Sequence, residues 1–292
     1  MSALLDAGNL KMPKFQSPLI TCEQLHSILA DNNTLVLDAS IPPIGSQPLP
    51  DAKWPDVCIK GAIRCDINGV FSDHNNNSPH TMLSAKAFEL AARAIGVNND
   101  SVIVAYDDLG LFSAARVWWM FKAMGHKNVY VLNGGLPQWL KLQLPTARAD
   151  DSTQLQQGNF IAKRQTQLFC DKDQVLKAID DNAVTILDAR SAERYSGMAA
   201  EPRAGVRKGH IPGSVNLPYS NLLDNGLFKS NSEVSQLLLT HASKDKQLVM
   251  SCGSGVTACI LALAAEISGF ESVSVYDGSW SEWGSDHNLP IA

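Results

Sequence analysis

The chain of 292 residues lacks a hydrophobic run long enough to cross a bilayer. Its longest apolar or small stretch, Val256 to Ala265, is about half as long as a transmembrane helix requires. The segment Met1 to Lys14 contains no arginine and lacks the apolar core of a signal peptide. The sequence therefore predicts neither a membrane span nor a secretory leader, and we expect a cytoplasmic protein.

Motifs for metals and nucleotides are also missing. The six cysteines include no CxxC pair and no Cys/His spacing typical of a zinc site. No apolar run that predicts a strand is followed by GxGxxG or by GxxxxGKS/T. We therefore expect no metal and no cofactor, and we interpret the cysteines as reduced thiols of a cytoplasmic protein.

The overall charge is small and acidic. A net charge of -5 leaves no broad basic field for nucleic acid or for an anionic membrane. Apolar residues make up 45% of the chain, which is enough for a sizeable core. These properties favour a small molecule or another protein as the partner.

The strongest internal signal is a repeat. Four segments of the first half of the chain recur in the same order in the second half. The corresponding pairs are Leu35–Ala39 and Ile186–Arg190, Lys60–Ile63 and Lys208–Gly213, Val102–Ala105 and Leu248–Ser251, and Asn133–Trp139 and Asp277–Trp283. The offset falls only from 150 residues (Asp38 to Asp188) to 144 (Asn133 to Asp277). We interpret the chain as two copies of one domain, at 17–142 and 159–292. A linker at 143–158 joins them, and a flexible lead-in at 1–16 precedes them.

Each copy alternates short apolar runs with helical patterns, which is typical of an α/β fold with a mainly parallel sheet flanked by helices. The predicted strands are 34–37, 102–105 and 129–132 in the first copy, and 184–187, 214–217, 247–251 and 272–276 in the second. The predicted helices of the second copy are 171–179, 232–239 and 256–267. In the first copy, Ser84 is a predicted helix N-cap, and Gly96 and Gly125 are predicted helix ends.

One loop of the second copy combines the features of an anion site. Cys252 follows a buried strand and precedes a glycine-rich turn and an apolar helix. Glycines let successive backbone N–H groups point inward, and the helix adds the positive end of its dipole. Such a cradle stabilises a thiolate or a persulfide. A buried structural cysteine after a tight turn fits the same pattern, so the pattern alone leaves both interpretations open.

The segment Cys252 to Ala258 resembles the active-site loop of the rhodanese superfamily, in the form typical of 3-mercaptopyruvate sulfurtransferases. Similar segments occur at Gly209–Gly213, Arg116–Trp119 and Tyr276–Trp283, so the resemblance covers nearly all of the chain from about Ser17 onward. It implies two tandem rhodanese-like domains, with Cys252 as the nucleophile that carries a persulfide. It also implies an active-site role for the rest of the loop, Gly253, Ser254, Gly255, Val256 and Thr257.

The first copy lacks the nucleophile. Alignment of the repeat places Asp107 opposite Cys252, and no cysteine lies in that turn. The resemblance therefore implies a catalytically inactive first domain that closes the cleft over the second.

The resemblance also implies three side chains that bind substrate. By position, two family arginines fall on Arg194 and Arg203, and a histidine that faces the cleft falls on His80. Guanidinium groups suit the carboxylate and carbonyl of a 2-oxo acid. Without the resemblance, solvated loop arginines and a structural histidine are the simpler interpretation. The family's acidic residue two positions after Asp66 is Asn68 here.

The implied activity is the transfer of sulfane sulfur from 3-mercaptopyruvate to Cys252, with release of pyruvate. The implied acceptor is a thiol such as thioredoxin or a low-molecular-weight thiol, or cyanide. A thiosulfate:cyanide sulfurtransferase is an alternative, although such enzymes usually carry Arg-Lys at Gly253-Ser254. A Cys-dependent phosphatase needs an arginine six positions after the cysteine, where this chain has Ala258. The remaining alternative is a sulfur carrier that does not turn over a donor.

Overall fold

Two parallel sheets of equal size organise the chain, and the computed structural model describes them through residues 15–41, 56–148 and 155–292. Of the predicted lead-in, only residues 15 and 16 fall within these ranges. In the described residues, no helix is both long enough and apolar enough to cross a membrane.

The elements of the first half are β1 (Leu19–Ile20), α1 (Cys22–Ile28), β2 (Thr34–Asp38), β3 (Val57–Ile59), β4 (Ile63–Arg64), α2 (Ala85–Ala94), β5 (Val102–Tyr106), α3 (Ala114–Ala123), β6 (Val129–Leu132), α4 (Gly135–Lys141) and β7 (Thr146–Arg148). The elements of the second half are β8 (Phe169–Cys170), α5 (Lys172–Ala178), β9 (Val184–Asp188), α6 (Ala192–Tyr195), β10 (Val215–Asn216), β11 (Leu223–Asp224), β12 (Leu227–Phe228), α7 (Asn231–His241), β13 (Gln247–Ser251), α8 (Ala258–Ile267), β14 (Val273–Tyr276) and α9 (Ser279–Trp283). Short 3₁₀ helices lie at Thr166–Leu168 and Tyr219–Leu222.

The two sheets have the same strand order. The first runs β1-β6-β5-β2-β4 and the second β8-β14-β13-β9-β10, and each pairing within them is parallel. Two antiparallel pairs, β3 with β7 and β11 with β12, lie outside these sheets. The repeated order confirms the predicted α/β fold with two similar, mainly parallel domains. The domain boundaries stay a prediction, and β7 forms within the predicted linker.

The core is shared between the two halves. One hydrophobic cluster includes the buried faces of α3 and α8, which pack against each other. Every residue of α8 from Ala258 to Ala265 is buried, which explains why this helix is apolar on all sides. Smaller clusters under α1 and α4, and under α5 and α9, cover the outer faces of the sheets.

Two details differ from the sequence expectations. Helix α8 begins at Ala258 rather than Val256, because Gly255 adopts a left-handed φ of 77° and the chain turns before the helix starts. Helices α1, α4, α6 and α9 and the strands of two or three residues other than β10 are absent from the sequence prediction. Two or three residues are too few to show a periodicity, whereas α1 does carry a capping box between Thr21 and Gln24.

The central strands β5 and β13 end at equivalent points. Their last residues, Tyr106 and Ser251, pair with the equivalent last residues of the neighbouring strands β2 and β9. The next residues are Asp107 and Cys252. The register makes Val102 equivalent to Gln247, one position away from the repeat alignment of Val102 with Leu248. It therefore supports the interpretation that Asp107 is the counterpart of Cys252.

Asp107 shows what this loop binds. Its side chain is fully buried, and its carboxylate accepts backbone N–H groups at 2.7–3.0 Å from Leu109, Phe112, Ser113 and Ala114. Burial raises the pKa of Asp107, and the four N–H donors act in the opposite direction. The turn after the central strand is thus built around an acceptor of N–H groups even in the copy that has no cysteine at this position.

We expect Asp107→Asn to lower the free energy of unfolding by about 1 to 3 kcal/mol. An amide offers one acceptor oxygen instead of two, and its NH2 group meets N–H donors. The same change at Asp100, which is exposed, serves as the control and should alter stability by less than about 0.5 kcal/mol. Denaturant unfolding of the two variants measures the difference. Equal stabilities would contradict the role given to Asp107.

Candidate active site

Cys252 lies at the carboxyl end of β13 and is only 1% exposed. Its backbone N–H donates to Ser279 Oγ at 3.2 Å, and its carbonyl accepts the N–H of Trp280 at 2.9 Å. Both partners belong to α9, at the end of the neighbouring strand β14. The backbone of the cysteine is therefore fixed from both sides.

The loop after Cys252 presents unpaired donors. The N–H groups of residues 253–257 donate to no acceptor in the described part of the chain. In the corresponding loop of the first domain, N–H groups bind the carboxylate of Asp107. Gly255 adopts a left-handed φ of 77° and its counterpart Gly110 one of 100°, so the two loops turn alike. Because unpaired buried donors are costly, this loop suits a thiolate or a persulfide at Cys252.

His80 reaches the loop from the first domain. Its Nδ1 lies 3.0 Å from Ser254 Oγ, and its Nε2 lies 2.7 Å from Asn68 Oδ1. Because the amide oxygen of Asn68 can only accept a hydrogen bond, Nε2 carries the proton and donates to it, and Nδ1 accepts a hydrogen bond from the Ser254 hydroxyl. Burial, and then the positive charges of Arg116 and Arg203, lower the pKa of His80 to about 4. The imidazole is therefore neutral at physiological pH.

The two predicted arginines flank the same loop. The guanidinium of Arg194 pairs with Glu201 at 2.5 Å and lies against Gly253, where a β-carbon would be 3.0 Å from Nη2. Arg203 Nη1 donates to Ser281 Oγ at 3.1 Å, and Ser281 in turn donates to the carbonyl of Gly253. Burial and the charge of Arg194 lower the pKa of Arg203. Two neighbouring guanidinium groups thus lie beside the residue that follows Cys252.

A buried network behind the arginines includes residues that the sequence analysis missed. Arg190 is 2% exposed and forms ion pairs with Asp188 at 2.7 Å and with Glu201 at 2.9 Å. Glu201 therefore joins Arg190 to Arg194 and fixes the second guanidinium relative to the sheet. The signal in the sequence was Asp188-Ala-Arg190 at a strand end, a charged pair in an otherwise apolar region.

Two further side chains of the second domain, Cys259 and His210, have structural roles. Cys259 is fully buried, its thiol donates to the carbonyl of Gly255 at 3.2 Å, and burial raises its pKa to about 12. His210 Nδ1 bonds the backbone carbonyl of Tyr195 at 2.9 Å. Within the described ranges, no group of His, Cys, Asp and Glu side chains could hold a metal ion. The geometry thus brings Cys252, its loop, Arg194, Arg203 and His80 together.

Known proteins share this architecture. The family model for the rhodanese-like domain matches residues 21–142 and 171–286. The chain is 38% identical to thiosulfate/3-mercaptopyruvate sulfurtransferase 2 of Arabidopsis thaliana, over 94% of this chain and 86% of that protein. It is also 38% identical to the 3-mercaptopyruvate sulfurtransferase of Escherichia coli K12, over 80% of this chain and 82% of that one.

The similarity extends to the three-dimensional structure. The crystal structure of a 3-mercaptopyruvate sulfotransferase from Escherichia coli superposes with a TM-score of 0.81 at 32% identity, covering 90% of this chain and 99% of the other. Sequence and fold therefore agree over both domains. The chain belongs to the rhodanese family, with two rhodanese-like domains in tandem.

Proposed function

We propose that this protein is a 3-mercaptopyruvate sulfurtransferase in which Cys252 carries the transferred sulfur as a persulfide. The observation that carries the proposal is the placement of Cys252 beside two guanidinium groups and before five backbone N–H groups that have no acceptor among the described residues. The N–H groups suit an anionic sulfur, and the guanidinium groups suit the carboxylate of a small 2-oxo acid. The names of the Arabidopsis thaliana and Escherichia coli relatives support the same reaction.

The reaction divides into two half-reactions. The Cys252 thiolate attacks the sulfur of 3-mercaptopyruvate, a sulfur–sulfur bond forms, and the carbon–sulfur bond breaks. The electron pair of the broken bond leaves on the pyruvate fragment as an enolate, which takes up one proton to give pyruvate. A thiolate or cyanide then attacks the outer sulfur of the persulfide and releases the Cys252 thiolate.

The surrounding side chains have separate roles in this scheme. Arg194 and Arg203 hold the donor carboxylate and stabilise the negative charge that develops on the enolate oxygen. The Ser254 hydroxyl and the neutral imidazole of His80 form a hydrogen-bonded pair through which a proton can move beside Cys252. Asn68 orients His80 but, unlike a carboxylate, does not stabilise an imidazolium.

The first domain takes part without a nucleophile of its own. Asp107 replaces the cysteine and already occupies the N–H groups of its loop, so we assign no sulfur transfer to that domain. Its contribution is His80, which reaches Ser254 across the cleft. A thiol such as thioredoxin or a low-molecular-weight thiol, or cyanide, completes the scheme as acceptor. We assign the protein to the cytoplasm, although one Arabidopsis thaliana relative is named mitochondrial.

Thiosulfate is the second candidate donor. The name of the Arabidopsis thaliana relative includes both donors, and the two guanidinium groups beside Gly253 could bind a dianion. The loop itself adds no further cation, because Gly253 and Ser254 are neutral. We therefore expect kcat/KM to be larger for 3-mercaptopyruvate than for thiosulfate when both are assayed with cyanide as acceptor. A larger value for thiosulfate would favour the second candidate.

Incubation with 3-mercaptopyruvate should release pyruvate and add one sulfur atom to the peptide that contains Cys252. Intact-mass and peptide-mass analysis measure the addition. Cys252→Ser should abolish it, and Cys259→Ser should retain it because that thiol is buried and protonated. A sulfur adduct that survives in Cys252→Ser rules out the assignment. An adduct that forms without pyruvate release indicates a sulfur carrier.

Arg194→Ala and Arg203→Ala should each lower kcat/KM for 3-mercaptopyruvate about ten- to a hundredfold, since loss of a charge-assisted contact costs about 1.5 to 3 kcal/mol. Arg203→Lys should recover part of the loss, because a single ammonium keeps the charge but not the fork of donors. Arg164→Ala changes an exposed arginine and is the control. Steady-state kinetics close to wild type for both active-site variants would show that neither arginine binds the donor.

Acid should destabilise the wild-type protein through His80. The pKa of His80 is lowered from 6.5 to about 4 on folding, so between these values the unfolded chain binds the proton and the folded chain does not. Stability is therefore lost as the pH falls through this window, by up to about 3 kcal/mol. Denaturant unfolding from about pH 7 to about pH 4 measures the loss.

Two variants separate His80 from other acid-sensitive groups. His80→Asn keeps a residue that tolerates the φ of 61° and should show a smaller loss than wild type. Asn68→Asp should also reduce the loss, because a carboxylate beside Nε2 raises the pKa of His80. If all three proteins lose the same stability, His80 is not the titrating group.

A further inference from the structure

One buried guanidinium from the first domain contacts both domains beside the active-site loop. Arg116 lies on α3, is fully buried, and forms an ion pair of 2.7 Å with Asp277, which follows β14 in the second domain. Its Nη1 donates to the carbonyl of Gly255 at 3.4 Å, and its Nη2 donates to the carbonyl of His80 at 2.5 Å. Arg116 therefore joins the cysteine loop to the turn that carries the histidine.

The partner carboxylate holds the same turn from its other end. Asp277 Oδ1 binds Arg116, and Oδ2 accepts the backbone N–H of Met82 at 2.7 Å. The three residues from His80 to Met82 are thus bound at their first carbonyl by Arg116 and at their last N–H by Asp277. The Arg116–Asp277 and Asp277–Met82 bonds cross the domain boundary, whereas the Arg116–His80 bond lies within the first domain. The turn therefore has its full set of contacts only while the domains are packed together.

The turn needs such support. His80 has a φ of 61°, in the left-handed region that costs a residue with a β-carbon about 1 to 2 kcal/mol. A strained conformation persists only where surrounding contacts determine it. The neighbouring atoms also leave little space at Gly255. A β-carbon there would lie 2.9 Å from the carbonyl oxygen of Asp277 and 3.3 Å from Arg116 Nη1.

We propose that Arg116 is a positioning residue for sulfur transfer, acting with Asp277 as an interdomain latch that fixes the His80 turn and the Cys252 loop in one geometry. The proposal rests on the proposed function for its kinetic consequence. It gives the first domain a defined task, since that domain supplies both the histidine and the guanidinium that holds it. Arg116 is too deeply buried behind Gly255 to act as an ordinary surface cation.

A second ion pair provides a matched control. Lys122, on the same helix α3, pairs with Glu266 of α8 across the same domain boundary. Both side chains of this pair are about one-third exposed, and no hydrogen bond or ion pair among the described residues joins either side chain to the loop at 252–257. The two pairs join the same two domains through opposite charges, and they differ in burial and in their contact with the active site.

The test compares Arg116→Met/Asp277→Asn with Lys122→Met/Glu266→Gln. Replacing both charges of a buried pair by groups of similar volume tends to preserve stability, and the amide introduced by Asp277→Asn keeps an acceptor oxygen for the Met82 N–H. In a single-turnover reaction with 3-mercaptopyruvate, we expect the latch variant to form the Cys252 persulfide about tenfold more slowly or worse, because small misplacements of reacting groups are costly. The control should stay within about twofold of wild type.

A second measurement does not depend on sulfur transfer. Arg116 and Arg203 are the charged groups that lower the pKa of His80, Asp277 binds the same turn at the Met82 N–H, and Asn68 and Ser254 hold the two ring nitrogens. Loss of the Arg116 charge should move the NMR titration of the His80 ring upward from about 4 toward 6.5 in the latch variant and leave it unchanged in the control. A protein that only lost general stability would not show this selective shift.

The outcomes separate the latch from the proposed function. If wild type forms the persulfide and the latch variant matches the control in rate and titration, the latch proposal is wrong. If wild type forms no persulfide, the proposed function fails, and the His80 titration alone decides for or against the latch.

If the double variant does not fold, Arg116→Lys replaces it. An ammonium keeps the charge but cannot reach three acceptors, so persulfide formation at the wild-type rate in that variant also overturns the proposal.

Discussion

The turn between the central strand and the following helix must satisfy a row of backbone N–H groups. These groups have no partners in the sheet or the helix, and leaving them unpaired in a buried loop is costly. The two domains meet this requirement in different ways. The first supplies its own acceptor, Asp107, which binds four N–H groups. The second places Cys252 there, so the same requirement becomes a preference for anionic sulfur.

In the proposed function, this substitution explains how a duplicated fold can have one reactive domain. An aspartate fills the loop permanently, because its carboxylate is attached to the chain and reaches the donors directly. A cysteine leaves the backbone N–H groups of the loop available to bind its sulfur when the sulfur is anionic. The first domain then contributes through its contacts, since His80 and Arg116 reach the cysteine loop from the other side of the cleft.

The arginines around the loop differ in how fully their positive charges are compensated. Arg190 and Arg116 are buried and each pairs with a carboxylate, so they act as scaffold. Arg194 shares Glu201 with Arg190 and remains partly exposed. Arg203 has only the hydroxyl of Ser281 as a hydrogen-bond partner among the described residues. Arg203 therefore carries the positive charge that is least compensated, which suits the contact with a donor carboxylate that we propose for it.

Patterns along the chain were sufficient to predict the duplication, the α/β class and the position of the cysteine loop. Repeats, apolar runs and a glycine-rich turn after a strand are local, so they are visible before any fold is known. Arg194, Arg203 and His80 were also indicated, although only by resemblance. The partners of these side chains depend on tertiary packing within and between the domains. Glu201 pairs with Arg194 across 7 positions of the chain, Arg116 binds the carbonyl of His80 across 36, and Asp277 binds Arg116 across 161. No periodicity records which residues such packing brings together.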